Sequence, residues 1–338
     1  MNRVQKDIEL IIEEKALFEH LSDSTILING ATGLIGSMLM KTIYYADEKY
    51  GLGIKTVGQI RDDEKAKNVF GEIYDKVTLV RTPEGVYNYI IHTVSPTSSK
   101  FFIEHPVETI RSSVGSAMDI LEKAKQCGSS LVYLSSMEQY GIPDKPGQRM
   151  TEDRIGVIDH HNIRSSYSES KRLCECLCVS YAAEYGVDVK IARLAQTFGA
   201  GVQLADNRMP MQFAKAVIEG RNIVLHTEGK SISNFVYLTD VITGILTILV
   251  KGRKGEAYNI CNDRESRSVR EIANLVADDI AGGRIGVQVE MKDHMGYAPD
   301  TAMYLDSGKL RKLGWNPHVD MKTAYERLIQ YLQETVEK

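Results

Sequence analysis

No apolar run in this chain is long enough to cross a bilayer. The most apolar one, Val241–Val250 (VITGILTILV), falls well short of the roughly 20 residues a span needs and predicts a buried helix. The opening stretch, MNRVQKDIELIIEEKALFEHL, is acidic and amphipathic without a continuous apolar core, so no secretion signal is expected. Charge of one sign is also scarce. A net charge of −4 over 338 residues excludes a broad basic face, and with it non-specific nucleic-acid binding. It leaves room for a locally positive pocket that takes a phosphate-bearing small molecule. Cysteines are few and odd in number: Cys127, Cys174, Cys176, Cys178 and Cys261. That pattern fits a reducing cytoplasm better than a disulfide framework. The Cys-x-Cys-x-Cys run resembles a metal motif, yet on a helix Cys174 and Cys178 share a face while Cys176 points elsewhere. No CxxC or spaced His pair accompanies it, so the three read as packing residues and no metal site is expected. No repeat, low-complexity tract or linker is visible.

What is present is an alternation. Thr25–Asn29 (TILIN) reads as a strand, Leu34–Tyr45 as a helix, and Ile54–Ile60, Val77–Val80 and Tyr89–Val94 as further strands. Pro106–Lys125 looks helical, Leu131–Ser135 extended, Ser166–Tyr185 helical and Val187–Leu194 extended again. Strands alternating with helices imply a parallel sheet covered on both faces. Right-handed crossovers then give an α/β, doubly wound fold of the Rossmann type, with its ligand crevice at the strands' carboxyl ends. After residue 195 the pattern loosens. Ser268-Val-Arg-Glu271 fits a capping box opening a helix to about Ile280, and Thr323–Val336 reads as a terminal helix. The expected division is a dinucleotide-binding domain over 1–195, with a return segment near 233–262. Residues 196–232 and 263–338 would form a smaller C-terminal α/β substrate lobe.

The strongest local signal is Gly30-Ala-Thr32-Gly33-Leu34-Ile35-Gly36, directly after a strand and opening a helix. Glycines let the backbone turn tightly and approach a pyrophosphate. The helix N-terminus offers free N–H groups and a partial positive charge. Residues 30 and 32–36 are therefore the expected cofactor cradle. The second strand ends in Arg61-Asp62-Asp63, with Lys65 and Lys67 nearby. A carboxylate there would meet ribose hydroxyls and favour NAD, whereas Arg61 would meet a 2′-phosphate and favour NADP. Both cofactors stay open.

Ser136 and Glu138 follow the strand at 131–135. Downstream, Tyr167 and Lys171 lie four apart on one helix face. Such a set suits hydride chemistry. The Lys171 charge would lower the Tyr167 phenol, Tyr167 would take a proton from a substrate hydroxyl, and Ser136 would bond the same oxygen.

Several ordered motifs now point one way. Ile90–Pro96 (IIHTVSP), Arg193–Gly199 (RLAQTFG), Phe235–Asp240 (FVYLTD), Tyr258–Asn262 (YNICN) and the closing Leu305–Pro317 stretch resemble those of extended short-chain dehydrogenase/reductases, within the NAD-dependent epimerase/dehydratase family. The resemblance runs from about Thr25 to the C-terminal helix. It implies a nicotinamide dinucleotide, NAD by family habit, and a nucleotide-diphosphate sugar as substrate. It also implies a homodimer built on the two long helices near 106–125 and 166–185. By the same resemblance, Ser136, Tyr167 and Lys171 are catalytic, Tyr167 and Lys171 also meet the cofactor, and Ser95, Gln196 and Arg208 meet the substrate. Glu138 matches the extra acid/base of sugar 4,6-dehydratases and UDP-glucuronate decarboxylases, and the Arg164-x-x-Tyr167-x-Glu169-x-Lys171-Arg172 stretch most resembles the decarboxylases. Met137 departs from one dehydratase subtype. Ser233 stands where an Arg usually reaches the substrate pyrophosphate, a charge Arg208 would replace, and Gln196 stands where an Asn is usual. A 4-epimerase, or a non-catalytic dinucleotide-binding regulator, are the alternative readings.

Overall fold

The computed structural model describes residues 1–96, 98–145, 147–291 and 300–336. Seven strands form one parallel sheet in the spatial order Ala257–Ile260, Asp188–Leu194, Ser130–Ser136, Tyr89–His92, Thr25–Asn29, Lys55–Gln59, Thr78–Val80. The central strands are apolar along their length because both faces are covered. Side-chain alternation divides them. Leu27, Ile90 and Leu131 point toward the helices Pro106–Cys127 and Ser165–Tyr185, packing on Ala117, Leu121, Cys174 and Cys178. Ile26, Ile28, Ile91 and Val132 point the other way, into a core shared with Leu39, Ile43, Ile242 and Ile245 on the helices Leu34–Tyr50 and Leu238–Lys251. The doubly wound architecture expected from the alternation is the one observed.

Element ends shift for local reasons. The first crossover helix continues past Tyr45 to Tyr50 and stops at Gly51, whose φ of +63° supplies the left-handed cap. The apolar 241–250 run lies inside the buried Leu238–Lys251 helix. Among the described residues no helix is long and apolar enough to cross a membrane. Cys174 and Cys178 are buried on one helix face and Cys176 is exposed.

The chain crosses from the Thr78–Val80 edge back to Tyr89–His92 on the far side of the first strand, so strand order reverses there. Asn29 and His92 are cross-strand partners at that switch. Above it sits a smaller unit. Strands Gln196–Phe198, Ile232–Tyr237 and Ser266–Ser268 form a three-stranded sheet. It packs with the helices Met209–Glu219, Val269–Leu275 and Met321–Val336 around Phe198, Phe213, Phe235, Ile272 and Tyr325. The Ser268/Glu271 capping box forms, with N–H donors reaching each side chain at 3.1 and 2.7 Å. The helix it opens is α-helical only to Leu275 and continues as a π turn over Val276–Ile280. Within the return segment, Ile232–Tyr237 pairs with the small sheet, whereas the Leu238–Lys251 helix and the Ala257–Ile260 strand go back to the large one. The Arg3–Ile12 helix lays Ile8, Ile11 and Ile12 into the core beside the Leu34–Tyr50 helix.

Candidate active site

The glycine loop is shaped by close approach. Gly30 has φ +89°, and a Cβ there would meet Thr93 Oγ1 at 2.6 Å. A Cβ on Gly36 would meet the Gly30 carbonyl oxygen at 2.3 Å. The Thr93 hydroxyl donates to the Asn29 and Gly30 carbonyls at 2.9 and 3.2 Å, tying the loop to the neighbouring strand. Leu34 starts the helix, so the amides of Leu34, Ile35 and Gly36 have no carbonyl one turn earlier to bond. With Thr32 and Gly33 they line the crevice. A backbone cradle with free donors and no side chain in the way fits the phosphates of a dinucleotide.

At the crevice's adenosine end, Arg61 is exposed and lines the wall. Asp62 is engaged in capping its helix, accepting from the Lys65 N–H at 3.0 Å. Asp63 pairs with Arg81. Both carboxylates are exposed and each has one partner, and the side chain ending the strand is Gln59, which accepts from Asn29.

Ser136, Glu138 and Tyr167 are brought together beyond the glycine loop. Ser136 ends its strand and caps the short Met137–Tyr140 turn, its hydroxyl accepting from the Glu138 N–H at 3.2 Å. That turn is clamped from three sides. The Arg172 guanidinium donates to the carbonyls of Gln139, Tyr140 and Gly156 at 3.0, 3.2 and 3.0 Å. The Tyr140 hydroxyl donates to Asn259 at 2.8 Å and accepts from Arg193 at 2.9 Å. Arg193 in turn grips Glu175 through both carboxylate oxygens. A buried ion pair of this kind specifies a geometry more than it stabilises. Here it ties the Met137–Tyr140 turn, through Tyr140, to the Asp188–Leu194 strand and the Ser165–Tyr185 helix.

The charges around Tyr167 differ from the expectation. Burial pushes its phenol above the ordinary range, and the nearby Glu138 carboxylate adds to this, while the Ser136 and Ser95 hydroxyls favour ionisation. Lys171 is not aimed at the phenol. Its ammonium donates to the Leu134 carbonyl at 2.8 Å and to the Tyr133 hydroxyl at 3.4 Å, and lies 5.9 Å from the Tyr167 ring centre. Burial pulls Lys171 down to about 8. Burial therefore opposes ionisation of Tyr167, and the Lys171 ammonium beside its ring bonds the neighbouring strand rather than the phenol oxygen. Burial also raises the Glu138 carboxyl, and Arg164, another crevice residue, opposes that rise.

The remaining candidates separate. The Ser95 hydroxyl is enclosed beside the Tyr167 phenol and, among the described residues, makes no hydrogen bond of full geometry. Gln196 lines the crevice, half-buried. Arg208 also lines it, paired with Asp206 at 2.7 Å and donating to the Thr197 carbonyl at 3.1 Å. Ser233 packs its hydroxyl against the Met137 sulfur at 3.6 Å. Three further residues stand close by: Phe102 stacks on Tyr167, Arg164 acts on Glu138, and His92 stacks on Tyr133 near Lys171. Arg164 and His92 lie inside motifs quoted from the sequence, though with no role given there; Phe102 carries no spacing signal toward its partner. Among the described residues no group of acidic, His and Cys side chains is placed to hold a metal.

Known proteins resemble this chain in sequence and in fold. The chain is 27% identical over 314 residues to UDP-glucuronic acid decarboxylase 6 of Arabidopsis thaliana, covering 89% of this chain and 86% of that protein. It is 28% identical over 250 residues to UDP-glucuronic acid decarboxylase 1 of Xenopus tropicalis, covering 73% of this chain but only 57% of that longer protein. The solved dTDP-glucose 4,6-dehydratase of Bacillus anthracis, in complex with NAD, superposes with a TM-score of 0.73 at 18% identity over 93% of this chain and 98% of its own. The model of the NAD dependent epimerase/dehydratase family matches residues 26–261. Fold, glycine cradle and this match together place the chain in the NAD dependent epimerase/dehydratase family.

Proposed function

We propose that this chain is an NAD(P)-dependent nucleotide-sugar-modifying enzyme that oxidises its sugar at C4 and then acts at C5, by decarboxylation or loss of water. The observation that carries the reading is Glu138: a carboxyl group held in the crevice beside Tyr167, with its ionisation disfavoured by burial. Epimerisation at C4 requires no such group, whereas chemistry at C5 of a 4-keto sugar requires a proton to be moved there. The decarboxylase names of the sequence relatives support the same side of the choice.

When bound, the dinucleotide supplies hydride acceptance and return and, in its oxidised form, a positive charge. The chain's residues do the rest. The Gly30–Gly36 loop and the first amides of the Leu34–Tyr50 helix hold its phosphates. Ser136 and Ser95 present hydroxyls to the sugar oxygen that Tyr167 deprotonates. Lys171, charged below pH about 8, adds to the field that makes tyrosinate accessible. Glu138 exchanges the proton at C5, and Arg164 tunes its acidity. Arg61, with both neighbouring carboxylates engaged, favours the 2′-phosphate of NADP.

The unit is proposed to work as a homodimer in a reducing cytoplasm. Exposed apolar side chains on its two long helices, Val107, Ile110 and Met118 on one and Leu173 and Val179 on the other, support that pairing; sedimentation at several concentrations tests it.

The deciding experiment incubates the purified protein with UDP-glucuronate, UDP-glucose, dTDP-glucose and GDP-mannose and follows product mass. Loss of carbon dioxide or of water is the expected result. Unchanged mass with altered retention would make the chain a 4-epimerase. No conversion, with dinucleotide bound, would favour a regulator.

A further inference from the structure

Residues 1–25 lie outside the region matched by the family, yet the Arg3–Ile12 helix reaches the crevice. Val4, Gln5 and Ile8, with the N-cap Asn2, line the same large crevice as Leu34 and Ile35 of the glycine loop. The helix is fastened there by one buried acid. Asp7 is fully enclosed; it accepts from Arg3 at 2.7 Å, from Arg327 at 3.5 Å and from the Tyr237 hydroxyl at 2.6 Å. That hydroxyl accepts in turn from the Ala200 N–H at 3.4 Å. The Ala200–Val202 turn also lines the crevice and packs toward Leu34, since a Cβ on Gly201 would stand 3.8 Å from its Cδ1. On the other flank Tyr331 donates to the Val202 carbonyl at 3.0 Å.

An enclosed carboxylate is costly unless it is fully partnered, and its chief use is to fix one arrangement of the elements it joins. Asp7 joins four: the first helix, the small sheet through Tyr237, the C-terminal helix through Arg327, and, one bond further, the 200–202 turn. Leu34 opens the helix whose free amides face the phosphates. Its packing against that turn sets how closed the crevice is over them.

We propose that the Arg3–Ile12 helix is a working wall of the dinucleotide site, and that Asp7, through Tyr237, holds the Ala200–Val202 turn in place so that the pyrophosphate half of the cofactor is retained. Asp7 and Tyr237 are positioning residues here, because neither touches the phosphates. The inference rests on the crevice holding a nicotinamide dinucleotide.

The test is calorimetric titration of wild type, Tyr237→Phe and Asp7→Asn with NAD, NADP and, separately, UDP. Tyr237→Phe keeps the ring and loses both hydroxyl bonds. Its dinucleotide dissociation constant is expected to rise about tenfold, the scale of one buried hydrogen bond, with UDP binding unchanged within about twofold. Asp7→Asn still offers Tyr237 an acceptor and should lose less. Hydrogen exchange on the wild type gives a reading that needs no variant: saturating dinucleotide should slow exchange in Arg3–Ile12. Folded variants that bind dinucleotide like wild type, or exchange in that helix unaffected by cofactor, overturn the proposal. A wild type that binds neither NAD nor NADP overturns the cofactor reading beneath it, which is a different failure.

Discussion

The ring of Tyr167 lies flat against that of Phe102, with centroids 4.3 Å apart and planes 6° from parallel. Phe102 sits on the short Ser99–Glu104 helix, and its carbonyl accepts from the Ser166 hydroxyl at 3.3 Å, so that helix and the Ser165–Tyr185 helix are joined at two points. The stack leaves Tyr167 one ring plane and directs its hydroxyl toward Ser136 and Glu138. Phe102→Ala should therefore lower kcat about ten- to a hundredfold, because a small misplacement of a reacting group is expensive. Dinucleotide affinity should change little. Phe102→Tyr, which preserves the stack, should restore most of the rate. Steady-state kinetics beside cofactor titration checks the split; a variant that loses binding and turnover in parallel would contradict it.

Glu138→Gln retains shape and removes the proton carrier. Turnover should fall by about 10²–10⁴ while the protein still binds dinucleotide and still oxidises C4. The signature is a stalled first half-reaction: reduced cofactor absorbance builds up on the enzyme and no product of altered mass appears. Full turnover in this variant would remove Glu138 from the chemistry and return the reading to epimerisation.

Lys171 titrates inside the assay range. Its value of about 8 lies below the usual lysine range because burial disfavours the ammonium. The charged form is complete well below that value and is lost as pH rises through it. If the charge assists Tyr167, kcat should decline above pH about 8. Lys171→Arg cannot lose its proton there, so it should be slower throughout yet flat across the same interval. A wild-type profile that keeps rising beyond pH 9 would separate the ammonium from catalysis; such a rise would span about tenfold per unit for a single ionisation.

Local signals in the sequence were legible wherever one turn of chain decides them. The Gly30–Gly36 loop, the strands that flank it and the Ser268/Glu271 capping box all depend on residues within a few positions of each other. So did the Tyr167/Lys171 spacing, although not the direction in which Lys171 points. What stayed hidden depends on partners far away along the chain. Tyr237 is separated from Asp7 by 230 residues, and Arg327 by 320. The Glu175–Arg193–Tyr140–Asn259 network likewise joins four separate elements. Nothing in their spacing announces the meeting. The Arg208–Asp206 pair lies only two residues apart, yet nothing in that spacing says which way the guanidinium turns.

His92 adds a stability signature that is independent of catalysis. The ring is buried, stacked on Tyr133 at 5.5 Å, and among the described residues neither ring nitrogen has a hydrogen-bond partner. Burial, helped by the Lys171 charge, pulls it down to about 3. In the unfolded chain it would titrate near the ordinary value of 6.5. Between these two values the unfolded chain binds the extra proton, so stability must fall as pH falls, by about 1.4 kcal/mol per unit from this group. His92→Phe keeps the stacking and deletes both unpartnered nitrogens. At neutral pH it should be at least as stable as wild type, since no buried polar group is left unsatisfied. Taken from pH 7 to pH 4, the variant should lose roughly 3 kcal/mol less than wild type in urea unfolding, within the two-state approximation. Parallel losses in the two proteins would mean that His92 is solvated or paired in solution, and would place the acid sensitivity in the carboxylates instead.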